Sequence, residues 1–322
     1  MTDNPHRLDA LQLARQELAH DGMSHIPWDG TRLTSEQFVA AVRASDSYAQ
    51  ASQGRRAYID ASIPRLYRIF ANLELFRDAL HGPTLDVASG WGILYPAWKG
   101  FLQGALPYAI AEMFGWSNLV IDGDAIEGSK FECERDVLEF ADGKFGVVCF
   151  FDCIEHLIVD PMWPLLEFNR VLRTGGRIAI STPNAAAAYK ITQIAQGQNP
   201  ATESHIKPSS IYQRHNREWT VVELRQALEC CGFGNLRYST NAQCLGKAEL
   251  DSLAHLDSCG LIGMPLQYYG PEIFVIGEKV RHVTLDTPLP KDERWPSWLY
   301  SEVDAYRKRP KTYPIVVSDD YS

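Results

Sequence analysis

The chain has 322 residues, 45% apolar and 22% charged, with a formal charge of −9. That length can bury one large core, with or without a small appended unit. The acidic balance argues against a surface built to neutralise phosphates, so no nucleic acid partner is expected. No window approaches the roughly 18 unbroken apolar residues that a bilayer span needs. The first residues lack the basic and apolar regions of a signal peptide. Seven scattered cysteines form no CxxC pair, which fits reduced thiols better than disulfides or a zinc site. The chain reads as cytoplasmic and without a membrane partner.

Residues 1–82 read as a helical extension. Asp9 to His20 carries Leu11, Ala14 and Leu18 at helical spacing. A second helix, capped by Ser35 with Thr34 as a competing cap, presents Phe38, Val39 and Val42. A third pattern runs from Arg55 to Leu80, interrupted by Pro64 and stopped by His81-Gly82-Pro83. These helices suit either a dimer surface, giving a homodimer, or a lid over a ligand site.

From residue 83 to 184 strands alternate with helices, the pattern of a parallel sheet with crossover connections. Strands are predicted at 84–88, 107–112, 130–134, 145–151 and 176–182, and helices at 92–104 and 160–173. The segment 185–218 is Ala-, Gln- and Ser-rich without a clean period and reads as a lid or substrate insertion. Residues 219–280 return to the sheet, with a helix at 219–231, strands at 233–240 and 271–279, and a second insertion at 242–270. The tail, 281–322, is rich in Pro, Trp and charge and reads as a cover on the core. The expected fold is α/β, a doubly wound, seven-stranded, mostly parallel sheet.

The chemistry concentrates at predicted strand ends. Leu85-Asp86-Val87-Ala88-Ser89-Gly90-Trp91-Gly92 is a strand running into a glycine turn, which lets backbone approach a ligand closely. A carboxylate precedes the turn and no pyrophosphate fingerprint follows, which suits a small cationic nucleoside better than a dinucleotide. Glu112 ends the next strand about twenty residues on, the separation expected of a ribose-reading acid; a solvated strand-end acid is the alternative. Asp122 and Asp124 come about ten residues too late. Phe151-Asp152-Cys153-Ile154-Glu155-His156-Leu157 closes a central apolar strand, where doubly wound sheets place ligands.

The ordered set LDxxSGxG, an acid, DxxEHL, RVLxxGG (Arg170 to Gly176) and STPN (Ser181 to Asn184) resembles the class I S-adenosylmethionine-dependent methyltransferases, of the small-molecule, quinone- and sugar-tailoring type. The resemblance covers residues 84–184 well and His215 to Phe233 more weakly. It implies S-adenosyl-L-methionine as cofactor, held by Asp86, Ala88, Ser89, Gly90 and Gly92 around the methionine, and by Glu112 with Met113 at the ribose. Asp136 and the Val137 amide would take the adenine, with Asp152 and Cys153 alongside. Asp136 on a charged surface turn is the competing reading.

The DxxEH element is similar to that of quinone-biosynthesis O-methyltransferases, where Asp152, Glu155 and His156 would match residues associated with a divalent metal, Mg2+ being the ion expected. Many relatives of the type carry the same letters without a metal, so His156 as general base or as a structural residue stays open. His215 is a second candidate base, with Asp152 the third residue of the expected catalytic set. Glu155, His156, Asn184, Tyr212 and His215 are the expected contacts to a small-molecule acceptor, a sugar or sugar-containing compound being favoured. Trp295, Trp298 and Tyr300 could stack on it or anchor the tail. The expected reaction is O-methylation. A nitrogen or carbon acceptor, or a binding protein that keeps the fold without turnover and is plugged by Trp91, are the alternatives.

Overall fold

The computed structural model describes residues 24–25, 34–90, 92–113, 119–201, 214–242, 245–284, 287 and 299. The helix expected between Asp9 and His20, together with Trp91, Tyr212, Trp295, Trp298 and Tyr300, lies outside them.

Among the described residues, nine strands form one sheet. They are β1 (Ser24–His25), β2 (Thr84–Val87), β3 (Tyr108–Glu112), β4 (Leu119–Ile121), β5 (Asp124–Lys130), β6 (Phe145–Phe151), β7 (Leu172–Pro183), β8 (Phe233–Ser239) and β9 (Glu272–Lys279), in the order β1-β8-β9-β7-β6-β2-β3-β5-β4. β2, β3, β5, β6 and β7 run parallel; β9 is antiparallel to β7 and β8. From β2 the chain proceeds outward through β3 and β5, then returns to β6 on the other flank. The cleft between β2 and β6 is therefore the topological switch point, where open α/β sheets bind ligands.

β6 reads Phe-Gly-Val-Val-Cys-Phe-Phe and is buried along its whole length, as a strand covered on both faces must be. Its side chains alternate between two cores. Val148 and Phe150 join the cluster under α5 (Met162–Val171) and α7 (Val221–Cys230), with Leu165, Phe168, Leu224 and Leu228. Val147, Cys149 and Phe151 join the opposite cluster with Phe38, Phe70, Leu73 and Trp98. That face is covered by α1 (Ser35–Ala44), α3 (Gln53–Leu75) and α4 (Tyr95–Phe101); α2 (Asp46–Ala49) is a single turn between the first two.

Several boundaries differ from the sequence expectation. Nine strands replace seven, largely because β4 and β5 form a hairpin at the sheet edge. Asp122 (φ 49°) and Gly123 (φ 77°) make its two-residue turn, the Asp-Gly pairing that a tight hairpin favours. The strand expected at 130–134 is thus β5, six residues earlier, and alternates as a half-buried edge. Phe131, which suggested the later placement, is buried beyond its end. β7 begins at Leu172 and takes the Gly175-Gly176 turn into the strand. α3 runs unbroken through Pro64, and α1 is capped by Thr34 in a reciprocal box with Gln37, which settles the choice against Ser35.

The two insertions meet. α6 (Ala188–Ala195), in the first, packs on α8 (Lys247–Ser258), in the second, around Ala188, Leu253, Ile262 and Tyr269. No helix among the described residues is long and apolar enough to cross a membrane, and the six described cysteines are free.

Candidate active site

Both strands at the switch point end in a residue with left-handed backbone. Ala88 follows β2 at φ 55° and Asp152 follows β6 at φ 45°, left-handed values that side chains other than Gly, Asn and Asp adopt at a cost. The left-handed twist turns the chain sharply off each strand. After β2 it makes a tight bend with Gly90 at φ 59° and Gly92 at φ 70°. A Cβ on Gly92 would come within 2.6 Å of Ile121 Cδ1, which would have to shift, and its φ of 70° disfavours any side chain there.

Ser89 fastens this turn to the acid of the neighbouring strand. Its hydroxyl donates to Glu112 Oε1 (2.6 Å) and accepts the Gly92 N–H (2.9 Å). Glu112, at the tip of β3, thereby stands beside the glycine bend. A cavity of about 190 Å³ opens next to it, lined among others by Ala88, Glu112, Met113, Cys133, Cys153 and His156. It is mostly apolar, with a carboxylate at one side and an imidazole at another. A purine-sized base and a ribose diol match those walls: apolar faces for the ring, an acid for two hydroxyls.

A second, smaller cavity of about 40 Å³ lies under α3, reached by Tyr58, Arg65, Asp86, Ser89, Gly90 and Phe151. Asp86 is 1% exposed, and the Tyr108 hydroxyl donates to it. Burial pushes the Asp86 carboxyl up to about 7; the Tyr108 hydrogen bond opposes this and the neighbouring Glu112 adds to it. A larger depression of about 460 Å³, with Asp78, Arg177 and Arg237 on its walls, lies at the N-terminal end of β7, away from both strand tips.

On the β6 side the acids are built into networks. Asp152 Oδ1 accepts from the Ser181 hydroxyl (2.5 Å), and Asp152 Oδ2 pairs with Arg65 Nε (3.4 Å). Glu272, at the start of β9, pairs with Arg68 Nε (3.2 Å) and accepts from Asn241 (3.1 Å). Burial pushes Glu272 up to about 7, with Asp152 contributing. Glu155 is 1% exposed and accepts from the Thr182 hydroxyl (2.9 Å). Its carboxyl is raised well above the usual range by burial first and by Asp152 second. The sequence did not single out Arg65, Arg68, Glu272 or Tyr108, since each lies within an ordinary helix or strand pattern.

The two histidines are brought together. The His156 and His215 ring centroids are 4.9 Å apart, edge to face. His156 Nδ1 lies 3.0 Å from the Arg214 carbonyl oxygen, and His215 Nδ1 lies 3.0 Å from Glu218 Oε1. Glu218 also pairs with the buried Lys190. The Asn216 and Arg217 N–H groups donate to the Glu155 carbonyl (2.8 and 3.1 Å), holding this segment against the DxxEH turn.

Other expected residues sit elsewhere. Asp136 closes its own turn by accepting the Glu132 N–H (2.8 Å), and Val137 is 56% exposed; neither lines the larger cavity. From this segment it is Glu132 that lines the cavity, together with Glu112, while Glu134 is turned inward and accepts the N–H groups of Ile158, Val159 and Asp160. Asn184 is fully buried. Its amide donates to the Tyr268 and Gly270 carbonyls (2.8 Å each) and accepts the Ala186 N–H (2.9 Å), so it ties the two insertions together and lines none of the three cavities described above. The Asp152-Glu155-His156 metal set is not what gathers: the groups within 4.8 Å of one another are Glu155, His156 and His215, because Asp152 is drawn to Ser181 and Arg65.

This strand order, with a glycine bend and an acid at adjacent tips, can be set against known proteins. Residues 85–180 match the model of the methyltransferase domain family. Over that stretch the chain matches a methyltransferase domain. Among solved structures it is similar to an S-adenosylmethionine-dependent methyltransferase from Archaeoglobus fulgidus, at 15% identity over 66% of this chain and 94% of that one, with a TM-score of 0.43. It is also similar to phosphoethanolamine N-methyltransferase 2 of Haemonchus contortus, solved with phosphomonomethylethanolamine and S-adenosylhomocysteine, at 15% identity over 62% of this chain and 50% of that one, with a TM-score of 0.37. No curated protein matches the chain. The methyltransferase domain thus holds β2 to β7 and the residues at both strand tips.

Proposed function

We propose that this protein methylates a hydroxyl oxygen of a small molecule, a sugar or secondary-metabolite hydroxyl being the favoured acceptor, in the cytoplasm. S-Adenosylmethionine, when bound, supplies a methyl group activated by its sulfonium. Glu112 would read the ribose, Met113 and Cys133 would flank the adenine, and Asp86 with the glycine bend would hold the methionine end. The burial of Asp86, 1% exposed, supports this reading, since a cationic partner beside a buried carboxylate would favour its ionised form.

The observation that carries the oxygen reading is the imidazole pair beside a buried carboxylate. Transfer forms a carbon–oxygen bond as the sulfur–carbon bond breaks, its electron pair staying on sulfur, and the hydroxyl proton must leave. His156 stands on the wall of the cavity with its ring fixed through Nδ1, and His215 and Glu155 lie against it. Such a cluster is suited to help that proton depart.

The test is release of S-adenosylhomocysteine with a panel of glycosides and phenols. In the H156A/H215A double variant an oxygen acceptor should cost roughly 10²–10⁴ in rate, the usual range for acid–base assistance. A double variant that keeps most of its activity would point to a nitrogen or carbon acceptor. Calorimetry showing no binding of S-adenosylhomocysteine at millimolar concentration would leave a binding protein instead of an enzyme.

A further inference from the structure

We infer that Cys133 and Cys153 form a reversible thiol–disulfide site in the wall of the cavity beside Glu112, oxidised by low-molecular-weight disulfides. Both residues line that cavity of about 190 Å³. Both are half-buried and pack against the same core cluster, and their side chains are hydrogen-bonded to each other. Of the other four described cysteines, Cys149, Cys230 and Cys231 are buried and Cys259 is exposed.

The loops that carry the two thiols are clamped without their help. Cys133 follows β5 and Cys153 follows β6, strands that β2 and β3 keep apart in the sheet. Next to Cys133, the buried Glu134 accepts the N–H groups of Ile158, Val159 and Asp160 (3.1, 2.6 and 2.8 Å), just beyond the turn that Cys153 opens. Trp163 Nε1 donates to the Asp136 carbonyl (2.9 Å) on the Cys133 loop. A bond between the sulfurs therefore joins segments already held together, and the second thiol acts as an intramolecular partner at high effective concentration.

The hydrogen bond to Cys133, and burial after it, push the Cys153 thiol well above its usual range. The thiolate is the attacking species, so the first attack falls to Cys133. Its sulfur bonds to one sulfur of the small disulfide, the S–S bond breaks, and one small thiol leaves with the proton. Cys153 then displaces the second small thiol from the mixed disulfide, which leaves Cys133 bonded to Cys153. Two protein thiols are oxidised, one small disulfide is reduced to two thiols, and no other oxidant is needed. Bonded sulfurs stand about 2.05 Å apart, closer than hydrogen-bonded thiols, so oxidation draws the two loops together at the cavity wall. A ligand that fills the cavity opposes that closure, and the closure opposes the ligand to the same degree. This consequence rests on the reading of the cavity as the S-adenosylmethionine site; formation of the disulfide does not.

Glutathione disulfide serves as the probe, added in excess to reduced full-length protein and followed by alkylation, digestion and mass spectrometry. Wild type should yield a peptide pair linked through Cys133 and Cys153 and lighter by two hydrogens, with Cys259 glutathionylated as the exposed reference. C153S should stop at the mixed disulfide on Cys133, whereas C133S should leave Cys153 unmodified. By calorimetry, oxidised wild type should bind S-adenosylhomocysteine roughly 5- to 150-fold more weakly than reduced protein, the cost of forcing a group into too small a space. Dithiothreitol should restore the affinity, and S-adenosylhomocysteine should slow the linkage. Circular dichroism melting confirms that the variants fold; the wild-type peptide result stands without them. Absence of the linked pair while Cys259 is fully modified, or glutathione on both cysteines without a link, would overturn the site. Equal affinity in the two redox states would overturn the closure. S-Adenosylhomocysteine that binds neither state would sink the methyltransferase reading instead and leave the disulfide standing.

Discussion

Replacing Asp86 by Asn isolates the electrostatics of the buried acid at the heart of the domain. Asp86 is 1% exposed and its carboxyl is pushed up to about 7, chiefly by burial. In the unfolded chain the same group titrates near 3.9. A carboxyl raised on folding contributes stability that is fully present below its unfolded value and is lost as pH rises through its folded value. A gap of about three pKa units corresponds to roughly 4 kcal/mol in full, of which about 3 kcal/mol falls between about pH 5 and about pH 8.5. Asn has the same shape, does not ionise, and offers its carbonyl oxygen to the Tyr108 hydroxyl. Urea unfolding of ligand-free wild type and D86N across that pH range is the assay. The variant should gain stability relative to wild type by about 3 kcal/mol as pH rises. Taking the difference removes the titration of Glu155 and Glu272, which are present in both proteins. A wild-type-minus-variant difference that stays flat over this range would refute the buried-acid argument. A cationic ligand should oppose the loss, so saturating S-adenosylmethionine should raise wild-type stability more at about pH 8.5 than at about pH 5.

The acid at the tip of β3 should matter to binding more than to folding. E112A should weaken S-adenosylhomocysteine by roughly 10- to 100-fold, the loss of charge-assisted hydrogen bonds worth about 1.5–3 kcal/mol, measured by calorimetry; S89A, which frees Glu112 to turn, should show a smaller effect in the same direction. G92A should fail on two counts, its φ of 70° and the 2.6 Å approach to Ile121, and should lower the melting midpoint while weakening the same ligand. A88G should do the opposite for stability, gaining about 1 kcal/mol by relieving a left-handed residue, read as a shift in the urea midpoint.

Much of the domain could be read from the chain because its signals are local. The switch-point strands carry short apolar runs that end in a carboxylate and a glycine bend, and Leu85 to Gly92 and Val147 to Asp152 each hold strand, turn and acid within a few residues. The edge hairpin escaped because β5 is half exposed and polar, while apolar Phe131 just beyond it is buried without being in a strand. Asp122-Gly123 is the available signal, whereas Asp122 and Asp124 read only as acids too late to meet a ribose. Asn184 reads from the STPN motif as an acceptor contact, but its structural role depends on carbonyls some eighty residues away. The meeting of His156 with His215, and of Arg65 and Arg68 with Asp152 and Glu272, likewise depends on how distant segments fold back, which no periodicity records.

Those two arginines bear on where the domain can be cut. They belong to α3, upstream of the matched stretch 85–180, and Glu272 lies beyond its other end. Excising the matched stretch would strip Asp152 of its countercharge and leave Glu155 beside an acid no longer balanced. The unit that can be handled in isolation is therefore larger than the unit that sequence similarity outlines, and a minimal functional fragment should begin no later than α3.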